Sequence, residues 1–243
     1  PAALETIKNK CVQKDFYRAH KIPTASFHTC KDKSEMLHLL EHNQIGYPFV
    51  WKAATGGYDG RGVEVVKGPE ALENIPDTEC LCEELVSFEK ELAVIVARSE
   101  SGKTQCFPVV EMDFHPTANL VEYVFSPSTL EQRIQNKATS LAVRLANELD
   151  HVGLLAVEMF LSDNENILVN EIAPRVHNSG HLTIEGNVTS QFEQHIRSIL
   201  DLPLGDTSVI RPAVMINLTG EEKYEGPVFY EGIEEIMSMP ATY

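Results

Sequence analysis

The sequence predicts an α+β fold, and three features of the 243-residue chain carry that reading. Short runs rich in Val, Leu and Ile recur at 47–54, 63–67, 80–98, 105–112 and 120–125, bounded by Gly, Pro, Asn or Asp, as strands are. The segment 128–150 carries an apolar stripe at helical spacing through Leu130, Ile134, Ala138, Leu141, Leu145 and Leu149. From Leu154 to Ala173, two further apolar runs flank the polar SDNEN, the pattern of a hairpin with a four- or five-residue loop.

Residues 4–20 show helical spacing at Leu4, Ile7, Cys11 and Phe16, with a stop expected before Pro23. Lys10 and Lys14 lie four apart on one face of that helix and read as a solvated basic edge unless an anion is near. A short strand is expected at 24–27, and Ser34 opens a capping box for a helix ending at Gly46. Strands at 47–54 and 63–67 enclose TGGYDGRG, whose glycines allow positive φ and close backbone approach. The loop lacks the Gly-Lys-Ser/Thr ending of a Walker motif, so it is either a glycine-rich flap over phosphates or a mobile hairpin. Lys52, just before it, is either a lysine reaching phosphate or the polar phase of an alternating strand. A short helical turn at 69–75 precedes two strand-like runs joined by an acidic connector with Glu83, Glu84, Glu89 and Glu91. A helix over 191–200 and a strand over 213–218 follow the hairpin, and the tail from 221 has no periodicity.

The hairpin carries the chemistry. If Ser162 pairs with Ile167, Glu158 falls opposite Glu171, and like charges so placed are destabilising unless neutralised. A divalent cation held by Glu158 and Glu171, with Asn170 as a further hard oxygen donor, is the favoured answer, and Mg²⁺ suits such ligands. Arg175, His177, Asn178 and His181 follow directly. Arginine offers a fork for phosphate or carboxylate, and histidine can donate to anions or move protons. No Gly-x-Ser-x-Gly elbow or cysteine-nucleophile context is present. A phosphate flap, a lysine, an acidic pair and an arginine–histidine loop suit phosphoryl transfer.

Composition narrows the partners. With 20 Lys plus Arg against 36 Asp plus Glu, the net charge of −16 opposes broad attraction to nucleic acid or anionic membrane, though not a local basic pocket. No apolar run approaches a membrane span and the N-terminus has no signal-peptide pattern, so a cytoplasmic location is expected. The five cysteines read as free thiols, with Cys80 and Cys82 on one strand face for packing rather than in a metal-ligand spacing.

Four stretches, TGGYDGRG, NEIAPRVHNSGH, SQFEQHIRSILDLPL and VMINLTG, together resemble the 5-(carboxyamino)imidazole ribonucleotide synthetases, ATP-grasp enzymes of purine biosynthesis. The likeness runs from Lys10 to about Gly220. It implies an ATP-grasp fold, in which two α+β subdomains clamp the nucleotide. It also implies a division into a lead-in helix and strand (1–31), a small lid subdomain with the flap (32–97), a large subdomain with the metal site (98–220), and the start of a further domain (221–243). By the same resemblance the family's N-terminal domain is absent here and its C-terminal domain is truncated, leaving the ATP-grasp portion of a parent enzyme. The implied reaction joins bicarbonate to aminoimidazole ribonucleotide at the expense of ATP, through carboxyphosphate.

Carried over by position, Lys10 and Lys52 match nucleotide-phosphate contacts, and Glu83 and Glu91 match the adenine-hinge and ribose positions. Gly57, Asp59 and Gly60 belong to the nucleotide flap, with Asn170 beside the phosphates, and Glu158 and Glu171 match Mg²⁺ ligands. Tyr58, Arg61, Arg175 and His177 match positions near bicarbonate, carboxyphosphate and ribonucleotide. The implied partners are small molecules, with no nucleic acid and no membrane. A homodimeric parent, or one fused to the next enzyme of the pathway, fits the resemblance equally. Another ATP-grasp carboxylase or ligase, and a nucleotide-binding module without turnover, stay open beside it.

Overall fold

The structure is a computed structural model and describes residues 2–56, 62–114, 121–162, 164–218, 226–227 and 229–243. The chain opens with two helices, α1 (Ala2–Ile7) and α2 (Lys10–Ala19). One continuous helix was the expectation for this stretch; it divides at Asn9, whose side chain accepts from the amides of Cys11 (2.8 Å) and Val12 (3.1 Å). An asparagine holding two otherwise orphaned amides starts a helix rather than continuing one. Residues 24–27 do not form the expected strand. Thr24 makes only an isolated bridge to Val169, and the first strand is β1 (Phe27–Cys30).

Helix α3 (Lys33–Glu41) is capped by Asp32, which accepts from Glu35 N at 2.8 Å, so the cap lies two residues before the expected Ser34. Strands β2 (Phe49–Ala53), β3 (Val63–Val66) and β4 (Cys80–Glu84) complete a four-stranded sheet in the order β1-β4-β2-β3. One face of this sheet packs Cys30, Phe49, Trp51, Val66, Cys80 and Cys82 under Met36 of α3. Because side chains alternate along a strand, Lys52 and Glu83 project from the opposite face, and the site draws on this.

A seven-stranded sheet follows. Its members are β5 (Lys90–Arg98), β6 (Thr104–Cys106), β7 (Val110–Phe114), β8 (Val121–Ser126), β9 (Gly153–Leu161), β10 (Ile167–Ala173) and β11 (Ala213–Ile216), with α4 (Gln132–Glu148) between β8 and β9. The main order is β10-β9-β5-β7-β8-β11, with β6 on β5. The central strands β5 and β9 are buried on both sides, which accounts for their unbroken apolar runs. Leu92, Val94, Val96, Leu155 and Val157 meet the stripe of α4 at Ile134, Ala138, Ala142 and Leu145. The other face holds Ala93, Ile95, Ala97, Leu154 and Ala156. Helices α5 (Thr183–Gly186) and α6 (Gln191–Ile199) follow β10, and α7 (Ile233–Met237) lies in the tail. No described helix is long and apolar enough to cross a membrane.

Candidate functional site

Glu158 and Glu171 stand opposite each other, by a route other than the regular hairpin assumed from the sequence. Ile167 pairs with Leu161, not with Ser162, and an unbroken ladder from there would set Asn170 against Glu158. Instead the register shifts between Val169 and Glu171, so Asn170 is an extra residue and Glu171 becomes the partner of Glu158. The hydrophobic pattern explains the bulge. Ile167, Val169 and Ile172 all pack into the core cluster that also takes in the stripe of α4, and only an extra residue after Val169 lets Ile172 join them while Glu171 stays on the other face. That face also bears Glu91, two residues before Ala93, the cross-strand partner of Glu158.

Three lysines lie beside this face, Lys10 and Lys14 on α2 and Lys52 on β2, and of them only Lys10 pairs with one of its carboxylates. Lys10 Nζ lies 2.6 Å from Glu171 Oε1. Lys52 Nζ donates to Asn170 Oδ1 at 3.0 Å and pairs with Glu83 Oε2 at 2.6 Å, bridging the two sheets. Lys14 pairs with the other oxygen of Glu83 and donates to Thr24 Oγ1, which donates in turn to Val169 O at 2.7 Å. Lys14 is 2% exposed, so the solvated edge expected at this position is corrected: the tertiary fold supplies the anion, and the amine is enclosed with it. Burial pulls the Lys14 ammonium down to about 8, partly offset by Glu83. Burial pushes the Glu83 carboxyl up, but Lys52 and Lys14 together outweigh it and hold the group below its ordinary range.

The loop after β10 brings His177 to the glutamates, its Nε2 lying 3.4 Å from Glu158 Oε1. Its other ring nitrogen, Nδ1, is 2.9 Å from Ser179 Oγ. Its backbone is clasped by fully buried Gln191, whose Oε1 accepts from His177 N and whose Nε2 donates to His177 O, both at 2.8 Å. Arg175 is exposed and donates to Val176 O at 2.9 Å, while its charge acts on Glu158. His181 is exposed, its ring stacked with that of Phe192 at a centroid distance of 5.8 Å. The flap positions Gly57, Tyr58, Asp59, Gly60 and Arg61 lie outside the described residues.

The carboxylates have too little cation for their number. Burial, then the charge of Glu171, pushes the Glu158 carboxyl up to about 7 against the pull of Lys52, Lys10 and Arg175. Burial, then Glu158, pushes Glu91 up to about 8. Hard oxygens crowded on one half-buried face, in a site that favours their neutral forms, fit a divalent oxygen-seeking cation, which removes that penalty.

Lys14, Thr24 and Gln191 are the residues that sequence reasoning missed. Lys14 had a signal, since Lys10, Lys14 and Tyr17 share a helix face and Tyr17 is wholly buried. Thr24 had none, because its partners are remote in sequence, and Gln191 lies in the SQFEQHIRSILDLPL stretch, where the resemblance gives it no role.

A family model described as an ATP-grasp domain matches residues 15–192. N5-carboxyaminoimidazole ribonucleotide synthase of Bacillus subtilis (strain 168) is 42% identical over 219 residues, which cover 88% of this chain and 57% of that protein. A solved ADP complex of N5-carboxyaminoimidazole ribonucleotide synthetase superposes with a TM-score of 0.82 at 39% identity, over 89% of this chain and 57% of that one. The Aspergillus clavatus N5-carboxyaminoimidazole synthase, solved with ADP and aminoimidazole ribonucleotide, gives 0.81 at 35%, over 90% and 59%. The chain thus spans less than two thirds of the length of these proteins. The matched segment takes in the lysine strand, the glutamate hairpin and the histidine loop, and the chain belongs to the ATP-grasp family.

Proposed function

We propose that this chain is the ATP-binding portion of an enzyme that carboxylates aminoimidazole ribonucleotide with bicarbonate in purine biosynthesis. The observation that carries the reading is the convergence of Lys10 and Lys52 on the Glu158–Asn170–Glu171 face, between the sheet that contains β2 and β3 and the sheet that bears the hairpin. The likeness to synthases solved with ADP and with the ribonucleotide supports the substrate choice. The division into a lid subdomain and a larger subdomain, and a cytoplasmic location, belong to the same proposal.

In this reading Lys10 and Lys52 neutralise the phosphates of ATP, and their present carboxylate and amide partners stand where phosphate oxygens and a cation compete for them. Glu83 orients Lys52 through their ion pair, and Glu91 faces the ribose side. Glu158 and Glu171 would hold Mg²⁺, which supplies charge neutralisation to the phosphates when bound. Bicarbonate oxygen attacks the γ-phosphorus, ADP leaves, and carboxyphosphate forms. The amine of the ribonucleotide then takes the carboxyl carbon, phosphate leaves, and a proton is released. His177, with Gln191 clasping its backbone, is placed to hold or pass that proton, and Arg175 with Tyr58 and Arg61 meets the anionic acyl group.

The test uses the full-length enzyme. ADP release that requires both bicarbonate and aminoimidazole ribonucleotide is expected, and Glu171→Gln is expected to lower Mg²⁺-dependent kcat by on the order of a hundredfold or more. Turnover with another amine in place of the ribonucleotide would overturn the substrate assignment, and unchanged kcat in Glu171→Gln would overturn the metal assignment.

A further inference from the structure

The inner face of the small sheet holds a group of side chains that the nucleotide site does not use. Cys30 and Cys80 are directly paired across β1 and β4, and Cys82 lies two residues along β4 on the same face. Their three sulfurs all lie within 4.8 Å of one another, and the residues are between 0 and 2% exposed. Among the described residues no other trio of cysteine, histidine and carboxylate ligands converges this closely. A planar three-sulfur site with metal–sulfur bonds of about 2.3 Å has sulfur–sulfur edges of about 4 Å, so the cluster needs little rearrangement to close on an ion.

Trp51 adds an independent observation. It pairs with Cys82 across β2 and β4 and packs in the same cluster, and its buried indole N–H turns to the Cys80 sulfur, a thiol that Cys30, Cys82 and then this N–H hold below its ordinary range. A thiolate accepts from such an N–H better than a thiol does, so the contact favours the metal-ligating form of the sulfur.

We propose that Cys30, Cys80 and Cys82 form a binding site for a thiophilic d¹⁰ cation that takes three sulfur ligands, with the Trp51 N–H turned to the thiolate group. Soft thiolates select Cu(I)-like ions over hard ones. Zinc is disfavoured because its structural sites take four ligands and this cluster offers three. For a divalent ion the step balances without oxidant or reductant. Three S–H bonds release three protons, three metal–sulfur bonds form, and the group keeps one negative charge. Cys82 precedes Glu83 and Trp51 precedes Lys52, so this site and the nucleotide site occupy opposite faces of the same two strands.

The probe is Cd²⁺ alone, added to the full, reduced chain under argon. We expect one thiolate-bound equivalent, an ultraviolet thiolate-to-cadmium charge-transfer band, three protons released from the thiols, and a ¹¹³Cd resonance in the range of three-sulfur ligation. Cys80→Ala should weaken binding by on the order of a hundredfold or more and remove the band, while Cys106→Ala should leave both unchanged. No band in the folded, reduced protein, no ¹¹³Cd resonance in the three-sulfur range, or a band that survives Cys80→Ala would overturn the proposal. The resonance of the unmodified chain decides the matter even where a cysteine variant does not fold.

Discussion

Lys14 follows Lys10 by one helical turn, yet the two amines play different parts. Lys10 reaches the half-buried Glu171, whereas Lys14 is enclosed with Glu83, and Lys52 holds that carboxylate's second oxygen. Removing one member of a buried ion network leaves an uncompensated charge, so Lys14→Met should cost roughly 3 kcal/mol of stability, read by urea denaturation. In the Lys14→Met/Glu83→Gln double variant the loss should fall well short of the sum of the two singles, the coupling expected of direct partners. Gly180 is decided by space rather than charge. A Cβ there would lie 2.4 Å from Ile95 Cδ1 and 2.5 Å from Gln191 Oε1, the atom that accepts from His177 N. Gly180→Ala should therefore cost roughly 1–3 kcal/mol and lower kcat of the full-length enzyme, through a His177 loop displaced from Glu158. Wild-type kcat in that variant would show that the clasp on His177 is not needed.

Among the elements, α2 owes its start to one side chain. Asn9→Ala frees two amides and should lower stability by about 1 kcal/mol, with a matching fall in the denaturation midpoint. Helix α4 has no side-chain cap and is held by its stripe instead, with Ala138, Ala142, Leu145 and Ala146 wholly buried on the large sheet. Leu145→Ala should cost about 2–5 kcal/mol, since it opens a cavity beneath helix and sheet together. The stripe was legible as a pattern of apolar residues recurring at helical spacing, and most of it lies where that pattern put it. The β10 bulge was not legible in the same way. The alternation Ile167, Val169, Glu171 reads as one regular strand, and only the demand of the core for Ile172 shows where the extra residue lies.

At the scale of the whole molecule, an acidic chain of net charge −16 gathers Lys10, Lys14 and Lys52 around one acidic face. The local balance there, rather than the total, governs the response to pH. Glu158 and Glu91 have an ordinary value of 4.5 and are pushed up to about 7 and about 8 in the folded chain, chiefly by burial. Between those values the folded state holds more protons than the unfolded one. Stability is therefore fully present below the unfolded value and is lost as pH rises through the folded values. Without metal, the thermal midpoint should fall between about pH 5 and about pH 8, and Glu158→Gln should flatten that fall. Mg²⁺ should restore the midpoint most at the upper end, where both carboxylates are ionised. By itself the sequence determined the fold class and the order of most strands and helices, because these rest on periodicities of two and of 3.6 residues within short stretches, whereas Glu171 comes to face Glu158 only through the bulge at Asn170. Only the tertiary structure decided that Lys14 is enclosed, that Gln191 clasps His177, and that Cys30 joins Cys80 and Cys82. Each of those depends on a partner 14 to 69 residues away, or on a register between strands, that no local pattern encodes.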